Sequence, residues 1–153
     1  MKAVIQRVTR ASVSVEGEII SNIGRGLCIL IGLKTDDSAV DLEYIVRKIL
    51  KMKIFEDENG KRWSANVVEK NYEILCVSQF TLYHQLKGNK LDFHKAMQAS
   101  ESEPFYNNFL TELGKQYKPE LIKDGKFGAM MQVLIENDGP VTIEIESPVK
   151  TTA

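Results

Sequence analysis

Two short segments of this 153-residue chain carry residue types and spacings that can do chemistry. Ser78-Gln79-Phe80-Thr81-Leu82 follows the apolar run Ile74-Leu75-Cys76-Val77 and precedes a polar, glycine-containing loop from Tyr83 to Asp92. Hydroxyl, amide and main-chain groups therefore gather where a buried strand emerges, although such hydroxyls commonly just satisfy nearby backbone groups. Asn137-Asp138-Gly139-Pro140-Val141-Thr142 lies between two runs that alternate like β-strands. Asp-Gly in that setting is a strong hairpin signal, because glycine accepts the positive φ that primed turns demand. Proline directly after the glycine removes a ladder donor where the second strand would begin to pair, and it makes a cis peptide accessible. The plain reading is a tight turn entering an edge strand; the functional one is a rigid backbone tool that presents its carbonyls.

Familiar hydrolytic machinery is missing. Only His84 and His94 are present, with no Gly-x-Ser-x-Gly elbow, no His-Glu-x-x-His, no P-loop and no Cys-x-x-Cys. Either histidine is chemically able to act as a base near Ser78 or Thr81, but nothing in the sequence sets its distance, and a lone loop histidine is more often a solvated polar residue. Cys28 and Cys76 each sit in apolar runs and read as small buried hydrophobes, with neither a metal nor a cofactor implied. A net charge of −1 gives no general attraction to nucleic acid, so any RNA contact must use local patches. Lys87, Lys90 and Lys95 in and after the Tyr83 to Asp92 loop form one; Lys115, Lys118, Lys123 and Lys126 form another, diluted by Glu120 and Asp124.

The elements that must position these segments read as α+β, with helices packed on a largely antiparallel sheet or open barrel. Lys2 to Thr9, Ser12 to Glu16, Glu18 to Ile23 and Gly26 to Leu33 read as four strands of an antiparallel group. Thr35-Asp36-Asp37-Ser38 supplies cap residues for a helix carrying Leu42, Ile45, Val46, Ile49 and Leu50. Ile54 to Phe55 reads as a short strand, Tyr72 to Val77 as a central one, and Trp63 between them as a packing residue. Phe93 to Tyr117 is helical in pattern with a break near Ser100 to Pro104, and Phe127 to Glu136 with Val141 to Ser147 reads as a closing hairpin. A 43% apolar chain of this length suits one domain, placed at residues 1–147 with a loose tail over 148–153. No run of about 18 apolar residues and no signal peptide is apparent, so a cytoplasmic location with no membrane partner is expected.

In order, Met1-Lys2-Ala3-Val4-Ile5-Gln6-Arg7-Val8, Ser78 to Leu82, Lys87-Gly88-Asn89-Lys90, Lys126-Phe127-Gly128 and Asn137 to Thr142 resemble the D-aminoacyl-tRNA deacylases from end to end. The resemblance implies hydrolysis of D-aminoacyl-tRNA, and of glycine mischarged on tRNA, by a homodimer with shared sites. It implies that Ser78, Gln79, Phe80 and Thr81 line the catalytic pocket and that the tRNA's own hydroxyl assists; main-chain N–H groups around Phe80 and Thr81, at the end of a strand, are expected to hold the oxyanion. It implies that a cis Gly139-Pro140 turn, braced by Arg7, enters the other subunit's site and excludes L side chains. Phe127, Gly128, Met131, Asn137 and Thr142 are expected around the substrate and its terminal adenosine, and Lys87, Asn89 and Lys90 on tRNA phosphates. Leu91 departs from the family, which usually has proline there, and the departure bears on tRNA affinity. Two other readings stay open: a DNA- or RNA-binding module, and a catalytically silent dimeric scaffold.

Overall fold

The computed structural model, which describes residues 1–150, is organised around one long strand. β1 (Lys2–Val15) runs unbroken where the sequence suggested two strands. Ala3 and Ile5, then Val8, then Ala11 and Val13 point inward, so the period of two slips by one residue on each side of Val8. Thr9 and Arg10, polar enough to suggest a break, instead pair across the sheet with the carboxylate of Glu136.

One edge of β1 takes β2 (Glu18–Ile23) and β3 (Gly26–Gly32), both antiparallel. β3 continues into β4 (Glu73–Ser78), and β4 into β7 (Ile122–Asp124), by parallel pairings. Parallel neighbours need long crossovers, which α1 (Ala39–Lys51) and α3 (Ala99–Gln116) provide. The fold is thus α+β with a largely antiparallel, barrel-like sheet, as the pattern implied, and two parallel joins that the pattern did not reveal. Ile5, Ile29, Ile31 and Ile74 pack against Ile45 and Ile49 of α1 and Tyr106 and Phe109 of α3. The other face buries Val8, Val13, Cys28, Leu75 and Val77. Both cysteines are buried and unpaired, and burial pushes the Cys28 thiol up to about 11. No helix among the described residues is long and apolar enough to cross a membrane.

The other edge of β1 takes β8 (Gln132–Glu146), and here the expected hairpin is overturned. Both flanks of the Gly-Pro segment pair antiparallel with β1, so the chain never reverses. Gln6 faces Thr142 and Val8 faces Asn137, which leaves residues 138–141 looped out opposite Arg7 alone. Pro140, which has no N–H for a ladder, lies in this bulge, and the Gly139-Pro140 bond is cis.

Further expectations change. Phe93 to Gln98 is not helical, because its backbone joins the end of β3 instead: Lys95 O accepts from Thr35 N–H at 3.0 Å, and Met97 N–H donates to Leu33 O at 3.0 Å. α3 then starts at Ala99 and passes through Pro104 without a break. The Tyr83 to Asp92 loop holds a small hairpin, β5 (Gln85–Lys87) with β6 (Lys90–Asp92), and α2 (Val67–Lys70) is a single turn before β4. Trp63 is not packed in the core; it is 55% exposed.

The chain ends are tied to the start of α1. Ser38 caps the helix, its N–H donating to Asp41 Oδ2 at 2.9 Å, while Asp41 Oδ1 accepts from Ser147 Oγ at 2.7 Å. Lys150 Nζ lies 3.1 Å from Asp41 Oδ2; the last three residues of the expected tail fall outside the described residues. Burial alone would raise the Asp41 carboxyl, but the Ser147 hydroxyl, the Ser38 N–H and Lys150 outweigh it and hold the group at about 2. A carboxyl lowered on folding stabilises fully above its unfolded value of 3.8 and loses that contribution as pH falls towards 2. Asp41→Asn is therefore expected to cost about 2 kcal/mol at neutral pH and to flatten the loss of stability in acid. Urea unfolding across that range checks this; a variant that matches the parent protein at neutral pH would contradict it.

Candidate active site

Where β4 ends, the chain makes a 3-10 turn (Phe80–Tyr83) whose position is fixed by the last rung of the β3/β4 ladder, Gln79 N–H to Ile31 O at 2.7 Å. The turn's first internal bond is Leu82 N–H to Gln79 O, 3.3 Å. The N–H groups of Phe80 and Thr81 precede it, at the place of the free donors of a helix start, and find no backbone acceptor among the described residues. His84 Nδ1 lies 2.8 Å from Thr81 O and so ties down the turn's far side.

Beside this turn opens a cleft of about 480 Å³. Ser78, Gln79 and Phe80 form one wall and Phe127, Gly128 and Met131 the other, with Ile31 and Leu33 from the β3 end between them. The structure thus brings together six of the residues singled out in the sequence, from segments about fifty positions apart. Phe80 is 57% exposed and meets Phe93 edge to face, ring centroids 5.0 Å apart. Phe127 leans on Tyr106 at 5.9 Å, and the Tyr106 hydroxyl donates to Asp124 Oδ1 at 2.6 Å. Gly128 has φ +77°, a left-handed backbone that favours glycine, and open space where a side chain would be. Met131 is pinned: its sulfur accepts from Lys126 N–H at 3.3 Å, and a Cβ on Gly125 would come within 2.7 Å of it.

No side chain lining this cleft is ionisable. Neither histidine lines it either; His84 holds the turn, and His94 pairs with Asp92 on the exposed hairpin. The cleft can therefore bind, orient and donate hydrogen bonds, but has no side-chain base of its own. Thr81, expected in the pocket with Ser78, Gln79 and Phe80, follows Phe80 in the turn and is not among the lining residues. Phe93, Met97, Gln98, Ala99 and Ser102 also line it and were missed, since a helix-like spacing hid the extended approach to α3. The adjacent Phe93 to Gln98 run of mixed apolar and polar residues before a cluster of serines was the available signal.

The remaining residues form a second cluster around the bulge. Arg7 Nε donates to Asp138 O at 3.1 Å and Arg7 Nη1 to Ile54 O at 2.9 Å, so the guanidinium braces the looped-out segment against the sheet. Asn137 closes the bulge from below: Val141 N–H donates to its Oδ1 at 2.6 Å, and its Nδ2 donates to Gln6 Oε1 and Thr142 Oγ1, both at 3.1 Å. Gly139 and Pro140 are exposed, and none of these residues lines the cleft. Lys87, Asn89 and Lys90 sit at the tip of the β5/β6 hairpin, where Lys87 Nζ lies 3.5 Å from Asp92 Oδ1 and Leu91 is exposed.

With this geometry in hand, the chain can be set beside known proteins. Residues 4–146 match the family model of D-Tyr-tRNA(Tyr) deacylase. The chain is 65% identical over 153 residues to D-aminoacyl-tRNA deacylase 1 of Homo sapiens, covering 100% of this chain and 73% of that protein. It is 56% identical over 151 residues to D-aminoacyl-tRNA deacylase of Dictyostelium discoideum, covering 98% and 100%. Among solved structures, the c-Myc DNA Unwinding Element Binding Protein superposes with a TM-score of 0.95 at 66% identity, over 97% of this chain and 100% of that one. A probable eukaryotic D-amino acid tRNA deacylase superposes with a TM-score of 0.77 at 18% identity, over 94% and 98%, a likeness of fold alone.

The wall behind Phe127 gives a test that needs no relative. Burial raises the Asp124 carboxyl and the Tyr106 hydroxyl opposes that rise. Tyr106→Phe leaves this half-buried carboxylate short of a donor, at an expected cost of about 1–3 kcal/mol in urea unfolding. No change in the unfolding midpoint would mean that solvent reaches Asp124 and the wall is not built on this pair.

Proposed function

This chain belongs to the D-Tyr-tRNA(Tyr) deacylase family, and we propose that it hydrolyses the ester of D-aminoacyl-tRNA to free tRNA and amino acid, as a homodimer in the cytoplasm. The observation that carries the reading is the meeting of the Ser78-Gln79-Phe80 turn with Phe127 and Gly128 in a cleft without ionisable side chains. An aminoacyl-tRNA ester suits such a cleft, because it is already activated and has a ribose 2′-hydroxyl next to the scissile bond. Water adds to the carbonyl carbon with assistance from that hydroxyl, and the Phe80 and Thr81 N–H groups receive the developing oxyanion. The carbonyl-to-ribose C–O bond then breaks, and the ribose oxygen takes up the proton. Phe127 offers a stacking face for the terminal adenine, and Gly128 allows close approach of its sugar. Lys87, Asn89 and Lys90 meet phosphates of the tRNA.

Chirality is read by exclusion. The exposed Gly139-Pro140 segment of one copy enters the cleft of the other, where its backbone occupies the space that an L side chain needs. A D side chain points away, and glycine has nothing to clash, so glycine on tRNA(Ala) is a substrate too. What supports this arrangement is that no bulge residue lines the cleft within one copy, so two clusters acting on one substrate would meet between copies. A second reading, binding to DNA, is favoured only by the name carried by the 66%-identical solved structure. Salt-dependent capture of a duplex without an aminoacyl end would support it.

The test compares D-Tyr-tRNA with L-Tyr-tRNA, with spontaneous ester loss subtracted. The expected result is rapid loss of the D ester with the L ester spared. Arg7→Ala removes charge-assisted hydrogen bonds to the bulge and is expected to raise the L-to-D ratio of rates by roughly tenfold or more. Equal hydrolysis of both esters by the parent protein would overturn the filter, and hydrolysis of neither would overturn the enzyme.

A further inference from the structure

The loop between Phe55 and Ala65 carries the chain's one tryptophan in a conformation that asks for a reason. Trp63 has φ +59°, in the left-handed region that costs a bulky residue about 1–3 kcal/mol. Among the described residues, the other two non-glycine positions with positive φ are explained by their elements. Asn71 ends α2 as a left-handed cap, and Glu16 shares the β1/β2 turn with Gly17. Trp63 lies in a turn at residues 62–63, where glycine or asparagine would carry this φ at less cost; it terminates no helix. Nor does core packing account for it, since more than half of the side chain is exposed.

What the loop achieves is a contact with Arg7. The Arg7 Cζ lies 5.9 Å from the centre of the Trp63 ring, within the range of a cation–π interaction. The edges of the same guanidinium donate to Asp138 O in the bulge and Ile54 O in the sheet. Its Nη2 crowds Gly139 so closely that a Cβ there would be 3.2 Å away. The N–H groups of Arg7 and the ring of Trp63 thus hold one guanidinium together, and the Arg7 side chain is only 18% exposed.

Both ends of the loop serve this grip. Ile54, whose carbonyl holds Nη1, immediately precedes Phe55; Phe55 pairs with Ala65, and Phe55 O accepts from Ser64 N–H at 2.9 Å. The loop's far side is tied by Asp57, whose Oδ1 accepts from Asn59 and Lys61 N–H groups, both at 2.9 Å. This loop and the residue before it therefore supply Arg7 with both a carbonyl acceptor and an indole ring.

We propose that Trp63 is a positioning residue for the Gly139-Pro140 turn: through its contact with Arg7 it holds the guanidinium in the orientation that braces the bulge, and so sharpens discrimination between D and L esters. The inference rests on the reading that this turn is the chirality filter. Trp63 is not among the residues that line the cleft. Its effect runs through Arg7, so removing Trp63 should be without consequence once Arg7 is gone.

The experiment measures D- and L-Tyr-tRNA hydrolysis and thermal unfolding for the parent protein, Trp63→Ala, Trp63→Leu, Trp63→Phe, Arg7→Ala and the Arg7→Ala/Trp63→Ala double variant. Trp63→Ala and Trp63→Leu should raise the L-to-D ratio about three- to tenfold, Trp63→Phe should recover most of the selectivity, and the double variant should match Arg7→Ala. As the only tryptophan, Trp63 also reports optically, and Arg7→Ala should shift its emission. An unchanged ratio in Trp63→Ala, equal ratios in the Leu and Phe variants, additive effects in the double variant, or emission indifferent to Arg7 would each overturn the proposal. So would a fall in melting temperature with selectivity intact, which would make the residue structural only. If Trp63→Ala fails to fold, the Leu and Phe pair decides. A parent protein that hydrolyses both esters alike overturns the filter reading itself, and the positioning role falls with it.

Discussion

The register between β1 and β8 constrains everything else. β8 must pair with β1 on both sides of Val8, because Ile143 and Ile145 on one side and Val133 and Ile135 on the other are all half-buried against the core. Slipping either flank by one residue would turn those side chains to solvent. The surplus residues 138–141 have nowhere to go but out of the sheet, and Arg7 is the β1 residue left facing them. A strand pairing thus creates an exposed, braced backbone protrusion. The same pairing leads the chain from Phe127 and Gly128 at the cleft directly into the strand that carries the bulge.

The cleft is notable for the chemistry that it lacks. A hydrolase acting on an unactivated amide would need a nucleophile and a base held against each other, and no such pair lines these walls. An activated ester that brings its own hydroxyl asks only for orientation and hydrogen-bond donors. On the proposed reading the selectivity is equally sparing, since a backbone that fills the wrong enantiomer's space tolerates many side chains of the right one. On that reading both tasks fall to main chain, and rigidity around the sites then matters more than reactive side chains. Arg7, Asn137, Tyr106 and Met131 are better understood as props than as reagents.

Much of this was legible in the sequence, and the remainder for definable reasons was not. The α+β class, the capped first helix and the emergence of the Ser78 to Phe80 turn follow from local patterns of apolar spacing and cap residues. The hairpin around Gly139-Pro140 was misread because Asp-Gly between alternating runs signals a turn locally, whereas bulge or hairpin depends on how much of β1 is free to pair. Phe93 to Gln98 was misread as helix because its spacing fits one, while its hydrogen bonds are claimed by the residues that follow β3, sixty or more positions away along the chain. Trp63 left no local trace at all: its neighbour Arg7 is brought to it only by the fold. Cleft residues contributed by a helix-like segment were lost for the same reason, and residues held by main-chain turns were found.

The central claim is that the cleft of one copy and the bulge of another act on one substrate. A purified heterodimer tests it directly, pairing an Arg7→Ala copy, whose cleft is open but whose bulge is unbraced, with an Ala129→Trp copy, whose bulge is intact but whose cleft is filled. The measurement is L-Tyr-tRNA hydrolysis relative to D-Tyr-tRNA by this heterodimer. If the bulge acts across copies, the one open cleft receives the intact bulge, and the L ester is spared while the D ester is hydrolysed. If the L ester is lost as fast as in the Arg7→Ala homodimer, the bulge does not serve its partner's cleft, and the account is contradicted.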